Sequence, residues 1–218
     1  CWIGCTEVSL EKSGGGGCDG CYARALDARH KWGGTTHWGA GIPRYRTNEA
    51  YWKQPLLWNS KQFVECAACH WRGELRKVAM PKGSFISACQ KCGAQSNNCG
   101  WALQETRRRV FCASLADVFD NEVPYQWRHD LFWLISQTPN LEWLLVTKRI
   151  GNVQKMLDEV CRRMMGMPFE TSRWLNVRLL ITVVNQEEAD RDIPKLLALP
   201  CKNGLSMEPM LPPIDLSS

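Results

Sequence analysis

The sequence predicts an α/β protein built around a parallel β-sheet, and the pattern lies in the second half of the chain. Short apolar runs rich in Val, Leu and Phe alternate there with longer stretches whose apolar residues recur at helical spacing. This alternation is typical of βαβ units. Because the apolar runs are nearly continuous, we expect strands buried on both faces. The predicted strands are 110–114, 143–147, 179–184 and 205–208, and the predicted helices are 124–137, 152–165 and 186–199, the last of which Pro194 could break.

The first half of the chain is less regular. Residues 22–32 are predicted to form a helix, and 33–59 a long ordered loop with short helices. Four consecutive glycines at 14–17 predict a flexible linker. The region 32–58 mixes arginines with aromatic residues, a combination that can clamp phosphates and stack bases. The same composition also suits a loop that wraps over the core and is anchored by tryptophans.

The composition indicates an ordinary globular protein. The chain has 218 residues, 44% of them hydrophobic and 22% charged, which allows one domain with a core and a small additional module. No apolar run approaches the roughly 20 residues that a membrane-spanning helix needs, so we predict no membrane partner. Because the chain begins with Cys1 rather than Met and ends without a closing element, we expect a truncated piece of a longer protein.

The twelve cysteines predict metal binding rather than disulfide bonds. Several occur as C-x2-C pairs and no secretory signal is visible, which favours thiolate ligands in a reducing compartment, the cytoplasm. Four of them have the spacing Cys66-x2-Cys69-x19-Cys89-x2-Cys92, typical of the two knuckles of a zinc ribbon. We therefore predict a closed structural Zn²⁺ site here, with Cys99 as a packed free thiol.

Cys5, Cys18 and Cys21 form a second candidate metal site near the start of the chain. Three thiolates can bind three corners of a [4Fe–4S] cluster and leave one iron open to a substrate or cofactor. The alternative is another zinc site, in which Cys18 and Cys21 are completed by Cys5 or Cys1. The spacing C-x12-C-x2-C by itself does not separate these two interpretations.

Polar residues follow each of the four predicted strands. In parallel α/β folds the carboxyl ends of the strands meet at one edge of the sheet, where ligands bind. Helix capping is the alternative, because Thr, Asn and Asp are good N-cap residues. Taken as a set, these residues predict one shared cofactor-binding pocket, formed by Ser114, Asp117, Lys148, Asn185 and Glu208.

Positive charge is concentrated in the cysteine-rich middle of the chain. The whole chain has a net charge of +5, whereas 61–109 contain nine Lys and Arg against three acidic residues, a net charge of +6. Such a segment could bind the phosphates of a nucleic acid. Alternatively, the charges only solvate an exposed insertion. The residues expected to contact phosphates are Arg72, Arg76, Lys77, Arg107, Arg108 and Arg109.

Six segments carry a family resemblance: WIGCTEVS, GCDGCYARAL, WGAGIPRYRTNEAYWKQPLLWN, VFCASLADVFDNEVP, LEWLLVTKR and LSMEPMLPPIDL. Through these segments, which follow one another in this order, the chain resembles an uncharacterised family of phage and bacterial proteins (phage Gp37/Gp68-type, DUF5131). That family is related to radical S-adenosylmethionine (SAM) enzymes. The resemblance covers nearly everything except 61–108. Radical SAM enzymes usually have C-x3-C-x2-C, whereas the first gap here is twelve residues long.

The resemblance implies a partial (β/α) barrel of radical SAM type with an inserted zinc-ribbon-like module. Its parts would be a cluster loop and first barrel segment at 1–60, the insertion at 61–108, and truncated βα repeats at 109–218. It also implies that Cys5, Cys18 and Cys21 hold a [4Fe–4S] cluster. SAM would bind at the strand ends, with Asn185 and Glu208 contacting its ribose or methionine part. An electron donor such as flavodoxin or ferredoxin would reduce the cluster.

We therefore hypothesise a radical SAM-like iron–sulfur enzyme. It would cleave SAM to methionine and a 5′-deoxyadenosyl radical, which would abstract hydrogen from a substrate. The basic insertion suggests a nucleic acid or nucleotide as that substrate. One alternative is a non-enzymatic zinc-binding nucleic-acid adaptor of phage origin, in which both cysteine sets hold zinc. Another is a hydrolase or nuclease that binds a divalent metal through Asp117, Asp120 and Glu208.

Overall fold

The computed structural model describes residues 1–6, 18, 21–75, 77–79, 85–95, 102–169, 174–208 and 213–216. Its helices are α1 (Tyr22–His30), α2 (Glu49–Asn59), α3 (Tyr125–Ser136), α4 (Ile150–Met165) and α5 (Gln186–Leu197). The strands before the insertion are β1 (Trp2–Ile3) and β2 (Tyr45–Arg46). Those of the insertion are β3 (Phe63–Cys66), β4 (Arg72–Glu74), β5 (Lys77–Ala79), β6 (Phe85–Ser87) and β7 (Leu103–Glu105). The last four are β8 (Arg108–Cys112), β9 (Leu141–Thr147), β10 (Val177–Thr182) and β11 (Lys202–Ser206).

The main sheet is parallel and has four strands in the order β8–β9–β10–β11. Each strand lies beside the one that precedes it in the chain, so right-handed crossovers place α3, α4 and α5 on the same face. The α/β class and the parallel sheet predicted from the sequence are confirmed. In the described part of the chain the sheet stays open and does not close into a barrel.

Only one face of this sheet is buried, so the expectation of strands buried on both faces was wrong. Along β9, Leu141, Trp143 and Leu145 are buried, whereas the residues between them are half-buried. Although the sequence of β9 is almost continuously apolar, burial alternates along the strand with a period of two. The buried side chains join those of the helices in one core.

The opposite face of the sheet carries charge as well as apolar groups. Glu142 on β9 lies between two arginines, with Arg109 Nε at 2.9 Å and Arg178 Nη2 at 3.2 Å from its carboxylate. Phe111 on β8 is 52% exposed on the same face. Because β8, β9 and β10 are adjacent, this row of ion pairs crosses three strands.

The first residues of the chain are fastened to the carboxyl end of β8. β1 pairs antiparallel with β2, and Gly4 then forms a parallel bridge to Ala116, donating its N–H to Leu115 O at 2.9 Å. Gly4 has φ +105°, and a Cβ there would lie 2.2 Å from His37 O, so only glycine fits. Because of this bridge, the next residue, Cys5, lies at the carboxyl edge of the sheet.

Two helices differ from the sequence expectations. The region predicted as a loop with short helices contains the eleven-residue α2, whose N-cap Asn48 accepts a hydrogen bond from Tyr51 N. α5 continues through Pro194, which therefore does not end it. Pro194 still accepts a hydrogen bond at its carbonyl from Ala198 N. Among the described helices, none combines the length and the apolar composition needed to cross a membrane.

The insertion consists of small antiparallel units between α2 and β8. β3 is flanked by β4 and β7, and β5 pairs with β6. Since β7 leads directly into β8, the insertion lies at the amino-terminal edge of the main sheet. Its limits, 61–108, stay a prediction. The predicted linker at 14–17 and the thiol of Cys99 lie outside the described residues.

Candidate metal centre and cysteine-lined cavity

Four cysteine sulfurs come together in the insertion. The Sγ atoms of Cys66, Cys69, Cys89 and Cys92 all lie within 4.8 Å of one another, and the pairs 66–92 and 69–89 are each 3.7 Å apart. Within the described ranges, no other group of three or more His, Cys, Asp or Glu ligand atoms is as compact. The four sulfurs could hold a metal ion, and an all-cysteine tetrahedral set fits structural zinc. The grouping of these four cysteines that the sequence predicted is confirmed, and zinc as the bound ion stays a prediction.

The two C-x2-C pairs adopt the same local structure. In each, the first cysteine donates its N–H to the carbonyl five residues on, and its own carbonyl accepts from the N–H four residues on. These bonds are Cys66 N to Trp71 O (2.8 Å), His70 N to Cys66 O (2.8 Å), Cys89 N to Ala94 O (2.8 Å) and Gly93 N to Cys89 O (2.9 Å). Each pair is thus a preformed knuckle, and the fold of the insertion needs only to bring the two knuckles face to face.

The thiols of this group affect one another's ionisation. Burial opposes ionisation of Cys89, but the backbone N–H groups of Cys92 and Lys91 and the neighbouring thiols lower its pKa to about 6. The N–H of Trp71 favours the Cys69 thiolate, but burial and the other three sulfurs raise the pKa of Cys69 to about 12. Four sulfurs this close cannot all carry charge without a cation between them. Metal binding therefore displaces protons from the group.

The residue after each knuckle has a left-handed backbone, which yields a first prediction. Gly93 has φ +74° and His70 has φ +54°. Gly93→Ala is expected to destabilise the zinc-bound insertion by about 1 kcal/mol, because alanine disfavours this conformation. A Cβ at Gly93 would have no neighbour within 4 Å, so the cost is conformational rather than steric. The measurement is competition for zinc against a chelator of known affinity.

Gly151→Ala is the matched control for this prediction. Gly151 also has open space around an added Cβ, but it lies in α4 with ordinary helical geometry. Alanine should therefore stabilise that helix slightly or leave the protein unchanged. His70→Gly, the reverse change in the other knuckle, should not weaken zinc binding. Equal zinc affinity of Gly93→Ala and Gly151→Ala would contradict the conformational argument.

A cavity of about 390 Å³ lies at the carboxyl edge of the main sheet. Cys5, Cys18 and Cys21 all line it. Cys5 is buried, and the other two thiols are half-buried. Cys21 is the N-cap residue of α1, and the adjacent Tyr22 donates its hydroxyl hydrogen to Ser114 O at 2.7 Å. The C-x2-C pair is thereby tied to the end of β8.

Four of the five strand-end residues predicted to share a pocket line this same cavity: Ser114, Asp117, Lys148 and Glu208. They come from the ends of β8, β9 and β11, so the shared strand edge brings them together as the parallel sheet predicts. Asn185 is not among the lining residues. It is the N-cap of α5 and accepts a hydrogen bond from Glu188 N at 2.9 Å, which is the capping role considered as the alternative.

Asp117 is saturated with hydrogen-bond donors. Its carboxylate accepts from the Thr147 hydroxyl at 2.8 Å, from Phe119 N at 2.9 Å and from Lys148 N at 3.0 Å. Arg149 Nη1 donates to the same carboxylate at 3.0 Å. Because its oxygens are occupied, Asp117 serves to hold the ends of β8 and β9 together rather than to offer a free ligand.

Asp120 and Arg44 form a buried ion pair that contacts Thr6, the residue after Cys5. Their side chains are 1% and 0% exposed, and Arg44 Nη2 lies 2.9 Å from Asp120 Oδ2. The same carboxylate oxygen accepts from Thr6 N at 3.0 Å. Burial opposes ionisation, but Arg149, the Glu122 and Thr6 N–H groups and Arg44 hold the pKa of Asp120 below its ordinary value. The pair fixes the backbone next to Cys5.

Cys5 itself contacts Arg149. Arg149 Nη1 donates to Cys5 Sγ at 3.3 Å, and Arg149 Nη2 donates to Thr6 O. Burial raises the pKa of Cys5 to about 12, although the charge of Arg149 acts in the opposite direction. Arg149 follows β9 and Arg44 lies in the basic and aromatic region 32–58, but neither was predicted to contact the cysteine segment. Nothing in the sequence indicates that these side chains reach residues 5 and 6.

Cys1 does not belong to this cavity. It lines a second cavity beside β8, and its Sγ lies 3.0 Å from Cys112 Sγ. It therefore does not complete a zinc site with Cys18 and Cys21. The second cavity also contains aromatic residues of the 32–58 region, among them Trp52 and Trp58, which pack against the core. This packing supports the interpretation of that region as a segment anchored by tryptophans.

Most of the described basic residues of 61–109 are paired with acids or carbonyls. Arg107 donates to Leu175 O at 3.2 Å. Arg76 and the side chain of Lys77 lie outside the described residues. The ion pairs are Lys61–Glu74 (3.0 Å), Arg72–Glu65 (3.6 Å), Arg108–Glu74 (3.5 Å) and Arg109–Glu142 (2.9 Å). Phosphate binding by this surface stays a prediction.

The structure is that of an α/β protein with a cysteine-lined cavity at the carboxyl edge of its parallel sheet and, in the insertion, a group of four cysteines that could hold a metal ion. Over residues 1–218 the chain matches the family described as "Protein of unknown function (DUF5131)". The chain belongs to this family, and that part of the resemblance read from the sequence is confirmed. Neither the curated proteins nor the solved structures contain a match.

Proposed function

We propose that this protein is an iron–sulfur enzyme of radical SAM type, in which Cys5, Cys18 and Cys21 hold a [4Fe–4S] cluster. The observation that carries the proposal is that these three cysteines line one cavity at the carboxyl edge of a parallel sheet. This is the edge at which α/β proteins bind ligands. Three thiolates leave one iron of such a cluster free to bind a further ligand.

The donor set suits a cluster better than a single zinc ion. The three sulfurs are not gathered within 4.8 Å as those of the insertion are, and Cys1 lies in another cavity. A cluster spans more space than one ion, since each thiolate binds a different iron atom. When bound, it would supply one electron to SAM, whose cleavage gives methionine and a 5′-deoxyadenosyl radical.

Other residues of the cavity have complementary tasks. Lys148 and Glu208 bring an ammonium and a carboxylate to its wall, which suits the carboxylate and ammonium of an amino-acid ligand such as the methionine part of SAM. Ser114 adds a hydroxyl group. Asp117 pairs with Arg149 and holds the ends of β8 and β9 together. Asn185 caps α5, so we do not assign it a contact with the ribose.

The remaining parts of the proposal follow from this site. In the main sheet each of the strands β8 to β11 lies beside the one before it in the chain, as in a (β/α) barrel. We therefore interpret the fold as part of such a barrel. An electron donor such as flavodoxin or ferredoxin would reduce the cluster, and the reducing cytoplasm would preserve both cysteine groups. We retain a nucleic acid or nucleotide as the substrate class, on the charge of the insertion alone. Zinc in the insertion would be structural.

Anaerobic reconstitution tests the proposal. The wild-type protein is expected to bind about four iron and four sulfide ions per chain in addition to zinc, and to form 5′-deoxyadenosine from SAM under reducing conditions. Cys18→Ala should lose the iron and the product, because two thiolates are too few to retain the cluster. Iron, sulfide and zinc analysis and chromatography of the nucleoside product are the measurements.

Cys201→Ala is the matched control, since Cys201 is also half-buried but lies outside the cavity and outside the four-cysteine group. It should keep the iron content of the wild type. Two zinc ions and no iron in the wild-type protein would support the alternative adaptor, in which both cysteine sets hold zinc. Equal iron content in the two variants would also overturn the proposal.

A further inference from the structure

Arg149 links β9 to the cysteine-lined cavity through a buried contact network. It directly follows the Thr147–Lys148 end of the strand, and its side chain is 10% exposed. One guanidinium nitrogen, Nη1, donates to Cys5 Sγ at 3.3 Å and to Asp117 Oδ2 at 3.0 Å. The other, Nη2, donates to Thr6 O and lies 4.0 Å from Asp120 Oδ1. The cation is thereby held against one of the three candidate cluster ligands.

We propose that Arg149 is a positioning residue that raises the reduction potential of the cluster held through Cys5, and that Asp117 opposes it. This inference rests on the proposed function. Reduction adds one negative charge to a cluster. A cation beside a ligand sulfur therefore stabilises the reduced state more than the oxidised one, and an N–H···S hydrogen bond acts in the same direction. The effect is strong because Arg149 and Cys5 are shielded from water.

The structure also supplies a charge of opposite sign at the same place. Asp117 is 6% exposed at its side chain and contacts Arg149 directly. It is held independently by the Thr147 hydroxyl and by the Phe119 and Lys148 N–H groups. It should therefore stay in position when Arg149 is replaced, and Arg149 should keep its contacts with Cys5 and Thr6 when Asp117 is neutralised.

These two charges give a test with opposite expected signs. The variants are Arg149→Met, Arg149→Lys and Asp117→Asn, each reconstituted anaerobically with the full 218-residue chain. The ratio of reduced to oxidised cluster is followed by electron paramagnetic resonance during a potentiometric titration, without SAM. At a fixed potential, Arg149→Met should lower this ratio at least tenfold, which corresponds to about 59 mV for one electron. Asp117→Asn should raise the ratio, and Arg149→Lys should fall between wild type and Arg149→Met.

Arg191→Met is the matched control, because Arg191 pairs with Asp192 on α5 and does not line the cavity. It should leave the potential unchanged. Equal potentials for Arg149→Met and Arg191→Met would overturn the inference. If the reduction potential shifts in the same direction in Arg149→Met and Asp117→Asn and both variants lose iron, the two residues only stabilise the structure of the site. That result would also overturn the inference. If Asp117→Asn does not fold, the contrast between Arg149→Met and Arg149→Lys decides alone.

The proposed function and this inference fail in different ways. A wild-type chain that binds no iron would reject the cluster itself. A wild-type chain that binds the cluster, with potentials insensitive to Arg149, would reject only the tuning role.

Discussion

Asp120→Asn is expected to destabilise the protein by about 3–5 kcal/mol, because it leaves the guanidinium of Arg44 buried without its counter-ion. The two side chains are 1% and 0% exposed and 2.9 Å apart. Arg44 also donates to three carbonyls of its own loop, so it cannot turn to water without breaking them. Chemical denaturation followed by circular dichroism measures the loss.

Asp130→Asn is the control for burial. Asp130 pairs with Arg46 at 2.8 Å, but both side chains are about one-third exposed. Exposed pairs of this kind contribute up to about 1 kcal/mol, so the same substitution should have a small effect there. A similar loss of stability in the two variants would contradict the argument that burial decides the energy.

The same carboxylate predicts a dependence of stability on pH. The pKa of Asp120 is lowered in the folded protein, so its contribution is fully present above the ordinary aspartate pKa of about 3.9. It is lost as the pH falls through the lower pKa of the folded state. The free energy of unfolding of the wild type should therefore drop more steeply below pH 4 than that of Asp120→Asn. Parallel curves for the two proteins would assign the acid sensitivity to other groups.

Loss of the metal from the four-cysteine site is the second large effect that we expect. Structural zinc binding contributes about 10–16 kcal/mol in small modules, and that energy is folding energy. The described part of the insertion has a small apolar cluster. Among the described residues of the insertion, the four buried members of its apolar cluster are the candidate ligands Cys66 and Cys89 together with Val64 and Leu103. Cys89→Ser should release the zinc and unfold the insertion.

The main sheet should survive this change. Its core is separate from the apolar cluster of the insertion, and β8 to β11 make their hydrogen bonds with one another. Trypsin should cut the variant rapidly at the exposed Lys91, whereas fragments from 109–218 should persist. Cys201→Ser, outside both cysteine groups, should keep its zinc and resist cleavage. Protection of Lys91 in zinc-free Cys89→Ser would show that the insertion folds without metal.

The features that the sequence predicted well are local ones. The succession of strands and helices after residue 109 follows from apolar spacing, because each element buries one side against the same core. The four-cysteine site was predictable because each C-x2-C pair forms its own knuckle through bonds five residues apart or fewer. To complete the four-cysteine group, the fold then had only to bring the two knuckles together.

The candidate cavity was predictable in part. Ser114, Asp117, Lys148 and Glu208 follow strands that run in the same direction, so the parallel arrangement alone brings them to one edge. Asn185 also follows a strand, but it begins a helix and its side chain satisfies that helix instead. Whether a polar residue at the end of a strand caps the next helix or faces the cavity depends on its backbone geometry. Composition and spacing do not predict that geometry.

The sequence by itself determined the α/β class, the order of the elements after residue 109 and the two groups of cysteines, since these follow from periodicity and short spacing. The tertiary structure decided which faces of the strands are buried, where the insertion lies relative to the cavity, and which charges surround Cys5. Arg149 meets Cys5 across 144 residues, and Arg44 meets Asp120 across 76. Such contacts depend on how the N-terminal segment packs on the end of β8 and on which buried groups the long side chains reach. Neither can be predicted from local sequence patterns.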